Sequence, residues 1–339
     1  MKNLILIFTV FLFTSQLHAQ ADSSQFYFKK GMDEKAARRY LVASSYFDKA
    51  IKFNPSFADA YIENGRVNLE MRKVDAAQGL FLKANQLQPD NATAIKELTS
   101  LYFNNRQFQK AIDMAQKCKT CADGDRIIAI SYYNLEDYGK AVAGLTKVLV
   151  KNPNDAEAAY TLGRSYLEQE DYKNAIPAYQ RAVALDPSKN VWMYELGLQY
   201  YNNGDFKNAL TYFTMADKAG YLKSNDFYEN IGFAYLNTGD ITNGMSNLKI
   251  VLDRKPNNKE LLQDIAQAMY TSKHYDDALN YYQKLLELDP KDASALYMAG
   301  MAFQKKGQKE KGQQMCDKAI NMDPSLAKNR QKRGENIGL

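Results

Sequence analysis

Histidine is nearly missing from this chain: only His18 and His274 occur in 339 residues. His274 stands beside Tyr275 with no nucleophile or metal-ligand pattern around it. No G-x-S-x-G, no H-E-x-x-H and no phosphate-cradling glycine loop is present either. Cysteine is scarce, with Cys118, Cys121 and Cys316 leaving no second pair to complete a four-sulfur zinc site. Only one apolar run is long, Leu4 to Phe13, and it is about half of the roughly 20 residues that cross a bilayer as a helix. Neither charge dominates: 44 Lys and Arg against 39 Asp and Glu give +5. The two signs are interspersed, so the basic stripe of a nucleic-acid binder is lacking. These absences argue against an enzyme, a metal protein and a nucleic-acid partner, and no cofactor is expected. The acids read as solvated faces and turns.

The first nineteen residues have the layout of a secretory signal. Lys2 precedes the apolar run, and Leu17-His18-Ala19 places a small residue before Gln20. No cysteine lies near that point to carry a lipid. The expectation is an exported, periplasmic protein with no transmembrane span in the mature chain; an extracellular protein, or one anchored by an uncleaved leader, is the alternative.

Proline is rare but regular. Seven of the eight prolines, Pro55, Pro89, Pro153, Pro187, Pro256, Pro290 and Pro324, are 34 residues apart or close to twice that. Such a period marks a copied supersecondary unit. Proline cannot continue a helix, so each copy ends by the same device. With the proline as position 32, nine units begin near 24, 58, 92, 122, 156, 190, 225, 259 and 293. Position 8 is Gly31, Gly65, Thr99, Ala129, Gly163, Gly197, Gly232, Ala266 and Gly300. Position 20 is Ala or Gly in every unit, from Ala43 to Gly312. Two small residues twelve apart let antiparallel helices cross closely. Aromatics recur at positions 11, 17 and 24, and are expected to fill the space between neighbouring units. Each unit reads as helix A, a turn such as Asn203-Gly204-Asp205, and helix B. Glu34 and Asn68 hold position 11 in the first two units, as suits a solvent-facing cap. Pro177 falls inside a helix B.

This pattern resembles the tetratricopeptide repeat family, with Tyr160-Thr161-Leu162-Gly163-Arg164-Ser165-Tyr166, Ala175, Tyr179, Ala182 and Pro187 as a near-complete copy. The resemblance spans about residues 24–326. It implies an all-α α-solenoid, a right-handed superhelix of about nine helix-turn-helix units. Residues 1–19 would be the signal peptide, 20–326 the repeat array and 327–339 a capping helix or tail with Lys328, Arg330, Lys332 and Arg333.

The resemblance also implies a concave groove, lined by helix A positions 5, 9, 12 and 13, in which a partner protein or peptide binds. Those positions lie about 100° around from the core-facing ones. They carry Tyr133, Tyr160, Arg164, Leu167, Tyr194, Leu198, Tyr201, Phe233, Leu236, Tyr270, Tyr297 and Met301. The implied role is a non-enzymatic scaffold in the bacterial cell envelope; stacked tyrosines would also suit a glycan or cell-wall polymer. Some family members clamp acidic C-terminal peptides with Lys, Asn and Arg. Here the matching positions are Thr93, Lys96, Ser100, Asp123, Arg126 and Ile130, so the asparagine is missing.

Cys118-Lys119-Thr120-Cys121 is a C-x-x-C placed where the third unit is short. It can form a structural disulfide or remain two thiols. Redox work would want the pair at a helix N-terminus, whereas the end of a helix B is the opposite pole. Cys316 takes position 24, a core slot.

Overall fold

The computed structural model describes residues 22–118, 121 and 123–327. The leader and the basic tail lie outside the described residues. Among those described there is no strand, and no helix is long and apolar enough to cross a membrane. The chain divides into two compact bodies, Met1–Leu185 and Asp186–Leu339.

The first body holds α1 (22–36), α2 (Tyr40–Phe53), α3 (Ala58–Glu70), α4 (Val74–Leu87), α5 (Ala92–Asn104), α6 (Phe108–Ala115), α7 (Gly124–Asn134), α8 (Tyr138–Lys151), α9 (Ala156–Glu168) and α10 (Tyr172–Leu185). The second holds α11 (Asn190–Asn202), α12 (Phe206–Lys218), α13 (Asn225–Asn237), α14 (Ile241–Arg254), α15 (Lys259–Thr271), α16 (Tyr275–Leu288), α17 (Ala293–Lys305) and α18 (Lys309–Met322), then a 3-10 turn at Pro324–Leu326. Odd-numbered helices are A, even-numbered helices are B. Within each body a helix packs on its sequence neighbours, and A helices also touch each other: α5, α7 and α9 in the first body, α11, α13 and α15 in the second. Pro177 sits inside α10, which runs on through it.

Every A helix stops the same way. Position 15 takes a left-handed backbone in all nine units: Arg38, Arg72, Arg106, Glu136, Glu170 and Lys273 at φ 57–65°, and Gly204, Gly239 and Gly307 at φ 76–88°. The next N–H donates back to the carbonyl at position 11, as from Asp171 to Tyr166 and from Asp205 to Tyr200, each at 2.9 Å. This Schellman closure satisfies carbonyls that the helix end would otherwise orphan. In some units helix B then starts on a side-chain cap. The side chains of Asp137, Asp205 and Asp240 accept from the backbone N–H three residues on, a contact worth about 1 kcal/mol.

The A–B crossing is set by what covers the position 8 glycine. A Cβ added to Gly65 would lie 2.5 Å from the Phe81 ring, and one on Gly197 would lie 2.6 Å from Phe213. Gly31 meets Phe47, Gly163 meets Tyr179 and Gly232 meets Leu248 in the same way. The large residue at position 24 therefore closes on the glycine of its own unit, and it also reaches the next unit as the sequence suggested: Phe213 lies 6.4 Å from Phe227. Position 17 rings likewise turn inward on position 12 of the same unit: Phe103–Phe108 at 5.9 Å, Tyr133–Tyr138 at 5.8 Å, Tyr201–Phe206 at 5.3 Å and Tyr270–Tyr275 at 5.6 Å.

Asn68 departs from its expected solvent-facing place. It is buried, and its amide donates to the backbone carbonyl of Asn64 at 2.8 Å and to its side-chain oxygen at 3.0 Å. Asn64 also accepts from Ser44 and donates to Asp48, each at 2.7 Å. Buried amides need such partners, and this chain of bonds supplies them. Glu34, the first unit's counterpart, accepts from Arg39.

The glycine seat predicts a paired outcome. Gly65→Ala forces a methyl group into the Phe81 ring and should cost about 1–3 kcal/mol. Gly79→Ala, exposed mid-helix with nothing within 4 Å of the new Cβ, should instead gain up to about 1 kcal/mol. The two melting midpoints should move in opposite directions.

Candidate functional site

In the first body the A-helix face is laced by ion pairs. Lys35 of α1 reaches Glu63 of α3. Arg66 then bridges Glu63 at 2.6 Å and Glu97 of α5 at 2.7 Å. Arg126 of α7 holds Asp155 at 2.9 Å and also Glu157, at the start of α9. Arg164 lies 5.3 Å from the Tyr133 ring centre and 6.0 Å from that of Tyr160. Tyr133, Tyr160 and Arg164 are thus brought together, half-buried. The positions of the carboxylate clamp do not form one: Arg126 is held by acids and Ile130 is buried. Lys96 and Ser100 only border a cavity of about 30 Å³ beside Cys121.

Cys118 and Cys121 are joined by a disulfide, with Cα atoms 5.5 Å apart. Their place differs from the expected end of a helix B. Helix α6 stops at Ala115, so the pair occupies the loop leading to α7. Cys316 keeps its thiol, buried close against Gly300 and donating to the Tyr297 carbonyl at 3.6 Å.

In the second body the predicted groove residues separate into two sets. Tyr194 and Tyr297 are not open: they are 8% and 5% exposed. Tyr194 stacks on Tyr221 at 4.4 Å, tilts against Phe213 at 5.4 Å and accepts a hydrogen bond from Asn230 at 2.8 Å. Counting around one helix could not show that Tyr221, from the loop after α12, folds over it. Tyr297 is enclosed with Leu296, Cys316 and Ala319. Leu198, Tyr201, Phe233, Tyr270 and Met301 remain partly open. Tyr201 of α11 and Phe233 of α13 line a cleft of about 440 Å³ that continues onto α15 with Asp264, Gln267, Ala268, Thr271 and Ser272; Asn237 and buried Leu236 complete it.

Of the acids on this face, Asp226, Glu260 and Asp264 are exposed, as the sequence suggested, while Glu195 and Glu229 are half-buried. Partial desolvation between the cleft walls, and then Glu260, push the Asp264 carboxyl above its ordinary range. Glu229 is raised by desolvation, Asp226 and Asp264, against a smaller opposing pull from Lys255. Tyr201 is raised by desolvation and by Asp264. A carboxyl whose folded pKa is raised stabilises the fold fully only below its unfolded pKa, and that contribution fades as pH climbs through the folded value. At neutral pH these charges therefore weaken the fold they sit on.

Comparison with known families gives the decisive match. Profiles described as tetratricopeptide repeat cover residues 128–190 and 160–223, 259–292, and 281–314. The chain is a tetratricopeptide repeat protein. Its curated relatives are distant. The Protein CTR9 homolog of Arabidopsis thaliana is 23% identical over 84% of this chain and 28% of its own length. Anaphase-promoting complex subunit 3 of Schizosaccharomyces pombe is 25% identical over 41% of this chain and 21% of its own length. The chain thus spans about a quarter of the length of these relatives. Among solved structures, the C-terminal part of a TPR repeat-containing protein from Cytophaga hutchinsonii is 16% identical, with 80% of this chain and 98% of that chain covered at a TM-score of 0.49. YrrB, described as a TPR protein with an unusual peptide-binding site, is 22% identical, with 64% of this chain and 95% of that chain covered at a TM-score of 0.33.

Tetratricopeptide repeats present stacked helices as a scaffold for protein–protein contact. In this tetratricopeptide repeat protein the cysteines supply a direct check. Alkylation of the native protein, read by intact mass, should leave Cys118 and Cys121 unlabelled until reduction. Cys316 should label only after unfolding. Two thiols that label at once without reductant would contradict the bond between α6 and α7.

Proposed function

We propose that this protein is a non-catalytic adaptor of the bacterial cell envelope, exported by its leader, that holds a partner protein or peptide against the A-helix face. The observation that carries the reading is the partly open apolar strip formed by Leu198, Tyr201, Phe233, Tyr270 and Met301 beside a closed core. Contiguous apolar surface of this kind marks contact sites on soluble proteins. The export reading is supported by Lys2, the apolar run Leu4 to Phe13 and Ala19. A relative that by its name is a subunit of a multiprotein complex agrees with an adaptor role.

The strip supplies anchors on four successive A helices. Truncating an interface aromatic often costs about 2 kcal/mol, roughly a 30-fold loss of affinity. Tyr194 and Tyr297 are packing residues in this scheme, and their truncation would damage the fold before it damaged binding.

The test is affinity purification from periplasmic and membrane fractions with full-length protein. Tyr201→Ala and Phe233→Ala should each release the co-purifying protein while circular dichroism stays unchanged. Lys173→Ala, on an exposed helix B position, should retain it. Retention on cell-wall polysaccharide with no protein captured would replace the adaptor reading by the glycan one.

A further inference from the structure

We propose that the cleft of the second body takes a basic protein segment, one lysine or arginine of which lies against the rings of Tyr201 and Phe233 and reaches the Asp264 carboxylate. This deepens the partner-binding reading and rests on it.

The charge on the three A helices that build the cleft is one-sided. Helices α11, α13 and α15 carry Glu195, Asp226, Glu229, Glu260 and Asp264 against a single lysine, Lys259. Lys259 is already paired with Asp289 at 3.2 Å. The whole chain is +5, so this acidity is local. In the first body the A-helix face carries its own cations among its acids, and Lys35, Arg66 and Arg126 each meet a carboxylate. In the second body the position that Arg66 and Arg164 occupy is held by Leu198, Phe233 and Gln267. No built-in cation replaces them there. Neither Glu229 nor Asp264 has an ion pair among the described residues; Lys255, at the end of α14, is the cation that Glu229 senses.

The walls of the cleft match such a guest. Aromatic faces attract ammonium and guanidinium groups, and a carboxylate at the same place adds a charge-assisted hydrogen bond. Asn237, Gln267, Thr271 and Ser272 line the same cleft and offer polar partners to the backbone of an extended segment. Among the described residues no group of three metal-ligating side chains stands close enough to hold an ion. An acidic segment would meet like charges, and desolvating it here would be costly.

The experiment uses the full chain and a fluorescein-labelled peptide rich in Lys and Arg with interspersed leucines, read by anisotropy. The same peptide with Glu, or with Ser, in place of each cation is the comparison. The cationic peptide should bind at least about tenfold more tightly than either, and more weakly as salt is raised. Asp264→Asn and Glu229→Gln should each weaken it about tenfold. Both variants remove a charge that the fold disfavours at neutral pH, so they should melt at or above wild type, which separates lost binding from unfolding. Asp253→Asn, exposed on α14, should bind as wild type does. Equal binding of the Glu or Ser peptide, lost in Phe233→Ala, would overturn the charge inference while the partner-binding reading stood. Cationic binding untouched by Asp264→Asn and Glu229→Gln would mean diffuse attraction and would overturn the site. Binding of no peptide of any charge would overturn both.

Discussion

A large side chain seated on a glycine holds each helix pair together, and the rest of the fold depends on that seat. Phe81 on Gly65, Tyr179 on Gly163 and Phe213 on Gly197 bring helix B onto helix A at a distance that a single methyl group would spoil. Interiors at native density have no slack for such an intrusion. Because the crossing is settled inside each unit, copies can be added without renegotiating the interface between them. The left-handed residue at position 15 serves the same end. It closes helix A at a fixed point, so helix B always starts in register with the seat. Six of the nine units accept Arg, Glu or Lys there rather than glycine, each with the same local closing bond from the next N–H to the carbonyl at position 11.

With the crossing secured from within, the outer face of each A helix is free for other uses, and the two bodies use it differently. The first body spends it on its own cohesion: Arg66 ties α3 to α5, and Arg126 ties α7 to α9. Ion pairs of this exposure contribute little individually, but they engage cations and carboxylates of this face with one another. The second body puts Leu198, Phe233 and Gln267 where those cations would stand, and surrounds them with carboxylates. Charges held against the interest of stability are a recurrent mark of working surfaces, since selection keeps them for function.

Much of this was legible in the sequence, for identifiable reasons. Small residues at positions 8 and 20 imply a close A–B crossing whatever the neighbours do, because the constraint lies within one unit. The position 24 ring packs toward the next unit, as at Phe213 and Phe227, but its seat on the glycine of its own unit was not legible, because periodicity gives a face and not a partner. Tyr194 and Tyr297 were misplaced for a related reason: Tyr221 and Cys316 cover them from other elements, which counting around a helix cannot see. Asn68 looked like a cap because it is buried only once α2 packs on α3, where its partner within α3, Asn64, is held in turn by Ser44 and Asp48. Two signals were readable and overlooked. Position 15 pairs glycines with long polar residues in all nine units, and α11, α13 and α15 spell out their excess of acid letter by letter. The early end of α6 is signalled only indirectly, by a third unit that is short of the 34-residue period.

The central claim is that the working surface is the A-helix face of the second body. Hydrogen–deuterium exchange of the full chain, with and without the saturating cationic peptide, tests it most directly. The account predicts new protection confined to 190–202, 225–237 and 259–271, with the B helices at 206–218, 241–254 and 275–288 unchanged. Protection on those B helices instead, with the A helices unaltered, would contradict it.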